Sequence, residues 1–179
     1  MVTNAKPKTS GSVHVADLGT TLPTDATTAL AAGFASLGYI SEDGVTNSTT
    51  RDSASIKEWG GSTVLNPQTS FENTYKMTFL DTVDLNVLKA VFGASNVTGT
   101  LSTGITVKVN SAELDEKSWA IEMVLADGAI ERDVIPSGKI TEVGDIQYVA
   151  DDAVMFEVTI TTHPDSSGNN SYKYLYKAA

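Results

Sequence analysis

The two histidines are the first residues to consider for chemistry, because nucleophilic catalysis needs a base beside a serine, threonine or cysteine. His14 and His163 lie near opposite ends of the chain, no G-x-S-x-G motif is present, and the sequence contains no cysteine. We therefore expect each histidine to be a surface residue or a strand residue whose polar atoms are satisfied locally. The sequence predicts that the chain is not an enzyme.

Two further patterns could bind ions. The tripeptide SGK at 137–139 is similar to the end of a phosphate-binding loop, but the upstream glycine is absent and no helix is predicted after it, which favours a turn. Asp151 and Asp152, with Asp145 nearby, could offer oxygen ligands to calcium, but they lack EF-hand spacing. These aspartates are better interpreted as solvated residues at the start of a strand than as calcium ligands. We predict no cofactor and no resident metal.

Composition limits the remaining function classes. A chain of 179 residues with 41% apolar content can bury a core as one domain, or as one domain plus arms. The formal net charge of −10, from 22 acidic and 12 basic residues, argues against a nucleic-acid groove or an anionic membrane surface. The absence of cysteine suits a reducing cytoplasm. The start of the chain lacks the apolar segment of a signal peptide, and no run of 18 apolar residues occurs, so export and membrane insertion are unsupported.

Hydrophobic periodicity predicts mostly strands, with two helices. A short strand is expected within 12–19, and a short helix within 22–38, with Thr24 or Asp25 as N-cap and Gly38 as its stop. A second helix is expected between Asp81 or Thr82 as cap and Gly93, with an apolar stripe at Leu85, Leu88, Val91 and Phe92.

A long hairpin is predicted before this second helix. The Ser/Thr-rich segment 44–59 favours a strand with one solvated face, and Gly60, Gly61, Asn66 and Pro67 indicate a loop of about ten residues. The return strand alternates between an apolar face, with Tyr75, Met77 and Phe79, and a polar face. The polar face carries Glu72, Thr74, Lys76 and Thr78.

Later segments return to period two, at 105–109, 119–125 and 154–160, and Asp127-Gly128 indicates a hairpin turn. Tyr172, Tyr174 and Tyr176 alternate with other residues and predict a last strand or a docking arm. The expected organisation is a flexible N-terminal arm at 1–11, a β domain at 12–162, and a C-terminal loop with an arm or last strand at 163–179.

The runs "VADLGTTLPTDATTALAAGFASLGYISEDGVT", "IKEWGGSTV" and "FENTYKMTFLDTVDLNVLKAVFGASNVTG" together resemble major tail tube proteins of long non-contractile-tailed phages. The likeness covers roughly residues 12–162 as an order of elements. It implies a mainly β fold, a β-sandwich or partly open barrel with a flanking α-helix. It also implies a structural virion subunit, assembled in the host cytoplasm, whose hexameric rings stack into a conduit for DNA ejection. Implied partners are other copies of the chain, the tape measure, tail terminator and tail-tip proteins, and DNA in transit without specific binding; no membrane partner is implied.

The resemblance also assigns surfaces. The residues it implies to face the lumen are Arg51, Ser53, Ser55, Lys57, Glu72, Thr74, Lys76 and Thr78. The loop implied to contact the next ring comprises Gly60, Gly61, Ser62, Thr63, Val64, Leu65, Asn66, Pro67, Gln68, Thr69 and Ser70. Two alternatives remain open: a non-enzymatic β-sandwich binding or adhesion module, and an enzyme on a β scaffold, for which the sequence supplies no convergent catalytic cluster.

Overall fold

The structure, a computed structural model, describes residues 2–8, 11–151 and 153–178. These residues form thirteen strands and one α-helix. The first seven strands are β1 (Ala5–Pro7), β2 (Val13–Asp17), β3 (Ala35–Ser36), β4 (Ile40–Ser53), β5 (Ile56–Lys57), β6 (Thr63–Leu65) and β7 (Gln68–Phe79). Helix α1 (Leu85–Phe92) and a short 3-10 turn (Ala94–Asn96) follow, and then β8 (Val97–Thr100), β9 (Gly104–Val107), β10 (Lys117–Leu125), β11 (Ile130–Val143), β12 (Phe156–His163) and β13 (Tyr172–Tyr176).

Nine strands form one antiparallel sheet in the order β3-β2-β10-β11-β12-β7-β4, with β1 also paired to β10 and β13 also paired to β11. Two separate hairpins pair β5 with β6 and β8 with β9. The sheet does not close into a barrel. This confirms the predicted mainly β class with a flanking α-helix, and it is consistent with the β-sandwich alternative.

The core lies between α1 and one face of the sheet, which we call the inner face. Tyr75, Met77 and Phe79 of β7 are at most 2% exposed and belong to one buried cluster with the helix residues Val87 and Val91. Phe92 and Phe156 meet edge to face with ring centroids 5.5 Å apart, which extends this cluster across the helix–sheet contact. The predicted apolar face of β7 is therefore confirmed.

Helix α1 begins one turn later than the sequence suggests. Asp84 is the N-cap, because its carboxylate accepts hydrogen bonds from the backbone N–H groups of Asn86 and Val87 at 2.7 and 3.3 Å. Asp81, one of the predicted caps, instead accepts from the backbone N–H of Tyr39 at 2.7 Å. Gly93 ends the helix as predicted, with φ of 91°.

The predicted helix at 22–38 is wrong. Asp25 accepts hydrogen bonds from the backbone N–H groups of Thr27 and Thr28 at 2.7 and 2.6 Å, which closes a local turn. The same spacing caps α1 at Asp84, but here the carbonyl oxygens of Asp25 and Thr28 accept from the Arg132 guanidinium rather than from N–H groups of a following helical turn. The segment is irregular up to β3, although Leu37 is fully buried as its apolar character predicts.

Both termini contribute strands to the main sheet. Within the predicted N-terminal arm, Ala5–Pro7 pairs with β10, while Met1, Thr9 and Ser10 lie outside the described residues. The tyrosine-rich tail forms β13, which pairs with β11. Of the two predicted possibilities, a last strand or a docking arm, the structure therefore shows a last strand. In the described chain, the single helix is far too short to cross a bilayer.

Candidate assembly surfaces

The polar face of β7 is solvated and continues onto three neighbouring strands. Directly opposed residues of an antiparallel pair share a face, and β12 places Glu157, Thr159 and Thr161 opposite the polar side chains of β7. In turn, β11 places two charged residues beside them. The face therefore spans four strands, β4-β7-β12-β11. On β7, β12 and β11 it includes Glu72, Thr74, Lys76, Thr78, Glu157, Thr159, Thr161, Lys139 and Glu142.

Charge on these three strands nearly cancels. Two lysines stand against three glutamates, a net charge of −1. Lys76 Nζ lies 2.9 Å from Glu157 Oε1, and both side chains are about half exposed, so the pair contributes little stability. The rest of this face is largely threonine. It is a hydroxyl-rich surface without a basic surplus.

The partner residues on β4 differ from the predicted ones by one position. Thr46, Ser48 and Thr50 oppose Lys76, Thr74 and Glu72 and share their face. Arg51 opposes Phe71, so it projects to the other face, where its guanidinium lies 4.4 Å from the centre of that ring. The prediction that Arg51 shares the Glu72 face is therefore wrong, since a shift of one residue in register moves a side chain across the sheet.

The other three predicted partners lie past an irregularity in the ladder. The pairing shifts between Asp52 and Ser53, so the alternation of β4 does not carry through to Ser53. Ser55 and Lys57 fall beyond the main sheet, before and within the small β5–β6 hairpin. All three are exposed, and their orientation toward a lumen stays a prediction.

The hairpin that carries these residues projects from the body as an arm, defined here as residues 46–72. Every residue in it is exposed, on both faces. From Thr46 to the tip, each strand is long enough to extend on the order of 40 Å. A body of about 150 residues has a radius of gyration of about 15 Å, so the arm is long enough to reach past its own domain to another molecule.

The predicted loop at 60–70 is mostly strand. Thr63–Leu65 is β6 and Gln68 already begins β7, while the backbone N–H of Ala54 donates to Pro67 O at 3.0 Å across the hairpin. The true turn is at 58–62, where the Glu58 carboxylate accepts from the N–H groups of Gly60 and Ser62 at 3.0 and 3.3 Å. These hydrogen bonds lower the pKa of Glu58, so it is ionised at neutral pH.

Apolar side chains cluster at the far end of the arm. Trp59 is fully exposed in the turn, and Ile56, Val64 and Leu65 are each at least half exposed. Large exposed apolar patches on a soluble domain mark interaction surfaces. The tip therefore carries an apolar surface that its own domain leaves uncovered.

The outer edge of β4 has no neighbouring strand among the described residues. Within the described residues, this 14-residue strand pairs only with β7. A long unpaired edge is an aggregation hazard for an isolated molecule unless assembly pairs it.

A buried charge cluster, which the sequence did not reveal, joins β10 and β11 to the 25–28 turn. Arg132 is 1% exposed; its guanidinium donates to Glu122 at 2.5 Å and to the carbonyl oxygens of Asp25 and Thr28 at 2.7 and 2.8 Å. Lys8 also contacts the same carboxylate at 3.1 Å. Burial opposes ionisation of Glu122, but the hydrogen bonds from Arg132 and Lys8 lower its pKa. The cluster ties the 25–28 turn and the N-terminal segment to the sheet.

The residues considered for catalysis are not brought together. His14 is on β2 and His163 on β12, with β10 and β11 between them, which separates the two by at least roughly 14 Å at ordinary strand spacing. Burial lowers the pKa of His14, while His163 Nδ1 lies 3.2 Å from Glu116 Oε1.

The two candidate ion sites also differ from expectation. The segment 137–139 lies inside β11 rather than in a turn, and Lys139 forms an ion pair with Glu113. Of the proposed calcium ligands, Asp152 lies outside the described residues. Elsewhere in the described chain, no group of three acidic, histidine or cysteine side chains is arranged to hold a metal ion.

Comparison with known proteins gives one positive result. The family described as phage tail tube protein matches residues 8–179, nearly the whole chain. No curated protein matches the sequence.

Proposed function

The chain belongs to the phage tail tube protein family, a structural rather than enzymatic class located in the virion tail, and from this premise we propose that it polymerises into stacked hexameric rings that enclose a conduit for DNA. The tail is proposed to be the long non-contractile type, assembled in the host cytoplasm. Its proposed partners are the tape measure, terminator and tail-tip proteins. The observation that carries the proposal is the exposed arm at 46–72 beside an unpaired β4 edge.

The four-stranded polar face supports the proposal that the rings enclose a water-filled lumen. If each of six copies contributes β4, β7, β12 and β11, a barrel of about 24 strands at ~4.8 Å spacing and roughly 40° tilt has a backbone diameter of about 50 Å. Side chains reduce the opening to about 40 Å. A DNA duplex passes such an opening with water around it.

The chemistry of that face suits passage rather than binding. Proteins hold DNA by neutralising phosphates with clustered Lys and Arg. The proposed wall carries Glu72, Thr74, Lys76 and Thr78 on β7, and its β7, β12 and β11 residues sum to −1 per copy. To these we add Thr46, Ser48 and Thr50 of β4, which are uncharged. DNA is expected to slide along this wall without being retained.

The arm supports the proposal that the rings stack into a tube. A head-to-tail contact that does not close on itself produces an open filament. We propose that the arm, including residues 60–70, contacts a copy in the next ring and that the apolar tip of the arm is covered by this contact. Three predicted lumen residues lie toward the tip of the arm and either belong to this contact or border the lumen: Ser53, Ser55 and Lys57.

A shortened arm tests the proposal. Residues 55–66 are replaced by Asn-Gly, a two-residue hairpin turn, because Ala54 and Pro67 are already hydrogen bonded across the hairpin. We expect a folded monomer with an unchanged melting temperature that forms no tubes in electron micrographs at concentrations where the unaltered chain does. Leu101→Ala, which removes an apolar side chain that is 72% exposed elsewhere, is the control and should leave tubes intact. Normal tubes from the shortened chain would remove the arm from assembly.

A further inference from the structure

A second free edge lies at the opposite border of the four-stranded face. Along one side of β11, β10 pairs only as far as Gly138, while β12 pairs along the other side up to Val143. Among the described strands, none pairs with the remaining side of Lys139–Val143. The four-stranded face is therefore bounded by two unpaired edges, β4 on one border and this segment of β11 on the other.

An apolar groove lies behind the β11 edge. It has a volume of about 450 Å³ and runs between the end of α1, the segment 108–114 and the 139–143 edge. This volume is within the range of typical binding pockets. Its apolar lining consists of Val91, Phe92, Val109, Ala112, Leu114, Ile140 and Val143. Val109 is 81% exposed and Val143 36%, so two of these side chains are left partly uncovered by their own copy.

The arm has the features that this surface lacks. Its β4 strand offers unpaired backbone groups, and the face opposite the polar one carries Phe71, which is 38% exposed, with Arg51 stacked on it. In the described residues, Arg51 has no carboxylate within ion-pair distance, although its Nη1 donates to Gln68 Oε1 at 3.2 Å. The groove rim carries Glu113, whose side chain is 81% exposed although it pairs with Lys139. The groove lining carries two lysines, Lys108 and Lys139, and two glutamates, Glu113 and Glu142, so its charge is balanced and does not repel the cation of the arm.

We propose that the β11 edge at Lys139–Val143 and the groove behind it are the docking site for the arm of a second copy of this chain. In this arrangement β4 of the donor adds to the β11 edge, so main-chain hydrogen bonds continue the sheet between copies. The donor's polar face then continues the acceptor's polar face, and Phe71 and Arg51 lie over the groove. The inference rests on the proposed tube-forming function and names the acceptor surface for it.

The absence of cysteine makes a direct cross-linking test possible. One preparation carries Ser48→Cys on the arm, and another carries Glu142→Cys on the β11 edge; both positions are exposed. The two are mixed under tube-forming conditions and treated with a short bismaleimide. We expect a cross-linked dimer on a denaturing gel. Ser48→Cys mixed with Ser102→Cys, an exposed residue of the β8–β9 turn, is the matched control and should give none.

A second variant keeps the proposal testable if the cysteine variants assemble poorly. Val109→Asp should fold normally because the side chain is largely exposed, yet it should abolish or strongly reduce assembly by placing a charge in the groove. Leu101→Asp, similarly exposed in the β8–β9 turn, should assemble normally.

The outcomes separate the two levels of the argument. Tubes without the Ser48–Glu142 cross-link, or a Val109→Asp chain that assembles like the Leu101→Asp control, would overturn the docking site and leave the tube function standing. An unaltered chain that stays monomeric at every concentration would overturn the tube function, and the docking site with it.

Discussion

Replacing Trp59 with alanine separates folding from assembly. Its side chain is fully exposed at the tip of the arm, so its truncation should change the free energy of unfolding of the monomer by no more than about 0.5 kcal/mol. In the assembled tube the indole is expected to be covered. An aromatic side chain buries about 150–250 Å², which at about 25 cal/mol per Å² corresponds to an upper bound of about 4–6 kcal/mol.

The measurable loss should be smaller than that bound, because ordering the side chain and desolvating its neighbours offset part of the gain. Truncation of a buried interface anchor costs about 2–4 kcal/mol. At about 1.4 kcal/mol per tenfold change, the critical concentration for assembly should rise roughly 30- to 700-fold. The assay is pelleting of tubes over a concentration series, with thermal melting of the monomer in parallel.

Two results would refute this reasoning. An unchanged critical concentration would show that the tip is not buried in the tube. A clearly lowered melting temperature of the monomer would show that Trp59 is not free in the isolated chain. Tryptophan emission offers an independent check, since Trp119 is already buried and hydrogen bonded to Gly138 O, so any blue shift on assembly should come from Trp59.

Three further changes test the body of the fold. Glu122→Ala leaves Arg132 buried without its carboxylate, so we expect a loss of about 3–5 kcal/mol and a melting temperature lower by roughly 6–20 °C; a loss under 1 kcal/mol in urea unfolding would contradict the buried pair. Leu88→Asp places an unpaired charge in the helix–sheet core and should cost at least about 3 kcal/mol; an unchanged melting temperature would show that α1 does not pack there. Burial raises the pKa of Asp133 above its ordinary value of 3.8, so above that pH the folded state binds more protons than the unfolded state. The contribution of this group to stability therefore falls as pH rises from 3.8 through the raised pKa. Asp133→Asn should therefore gain stability relative to the unaltered chain between pH 4 and pH 7, and a relative loss over that range in urea unfolding would be inconsistent with the raised pKa.

Local patterns in the sequence predicted the elements whose apolar residues follow a regular period within one segment. The alternation of Tyr75, Met77 and Phe79 identified the buried face of β7, and the stripe on α1 ended at Gly93 as expected. Both signals arise because one face of the element is buried, so the period is visible in one segment alone.

Register and long-range contacts could not be predicted in the same way. The face of Arg51 depends on where the turn lies, and the actual turn at 58–62 together with the pairing shift after Asp52 changes which residues oppose Glu72. Each displacement by one residue exchanges the two faces of a strand. The failed helix at 22–38 has a related cause, because its 25–28 turn is held partly by Arg132, more than 100 residues away in sequence.

The buried pair of Glu122 and Arg132 was also invisible to local patterns. The two residues are directly opposed across β10 and β11, and that pairing explains why a glutamate occurs within the apolar run of β10 and why Arg132 is buried on β11. A charge inside such a run is the signal that could have indicated a buried partner, although the partner's identity requires the register.

The most direct test of the central claim is a helical reconstruction of tubes grown from the purified chain by electron cryo-microscopy. We expect rings of six copies with an opening of about 40 Å and with the side chains of Glu72 and Lys76 on the inner wall. A tube whose inner wall carries the Arg51 and Phe71 side of the arm, or a ring in which the β7 polar face lies on the outside, would contradict it.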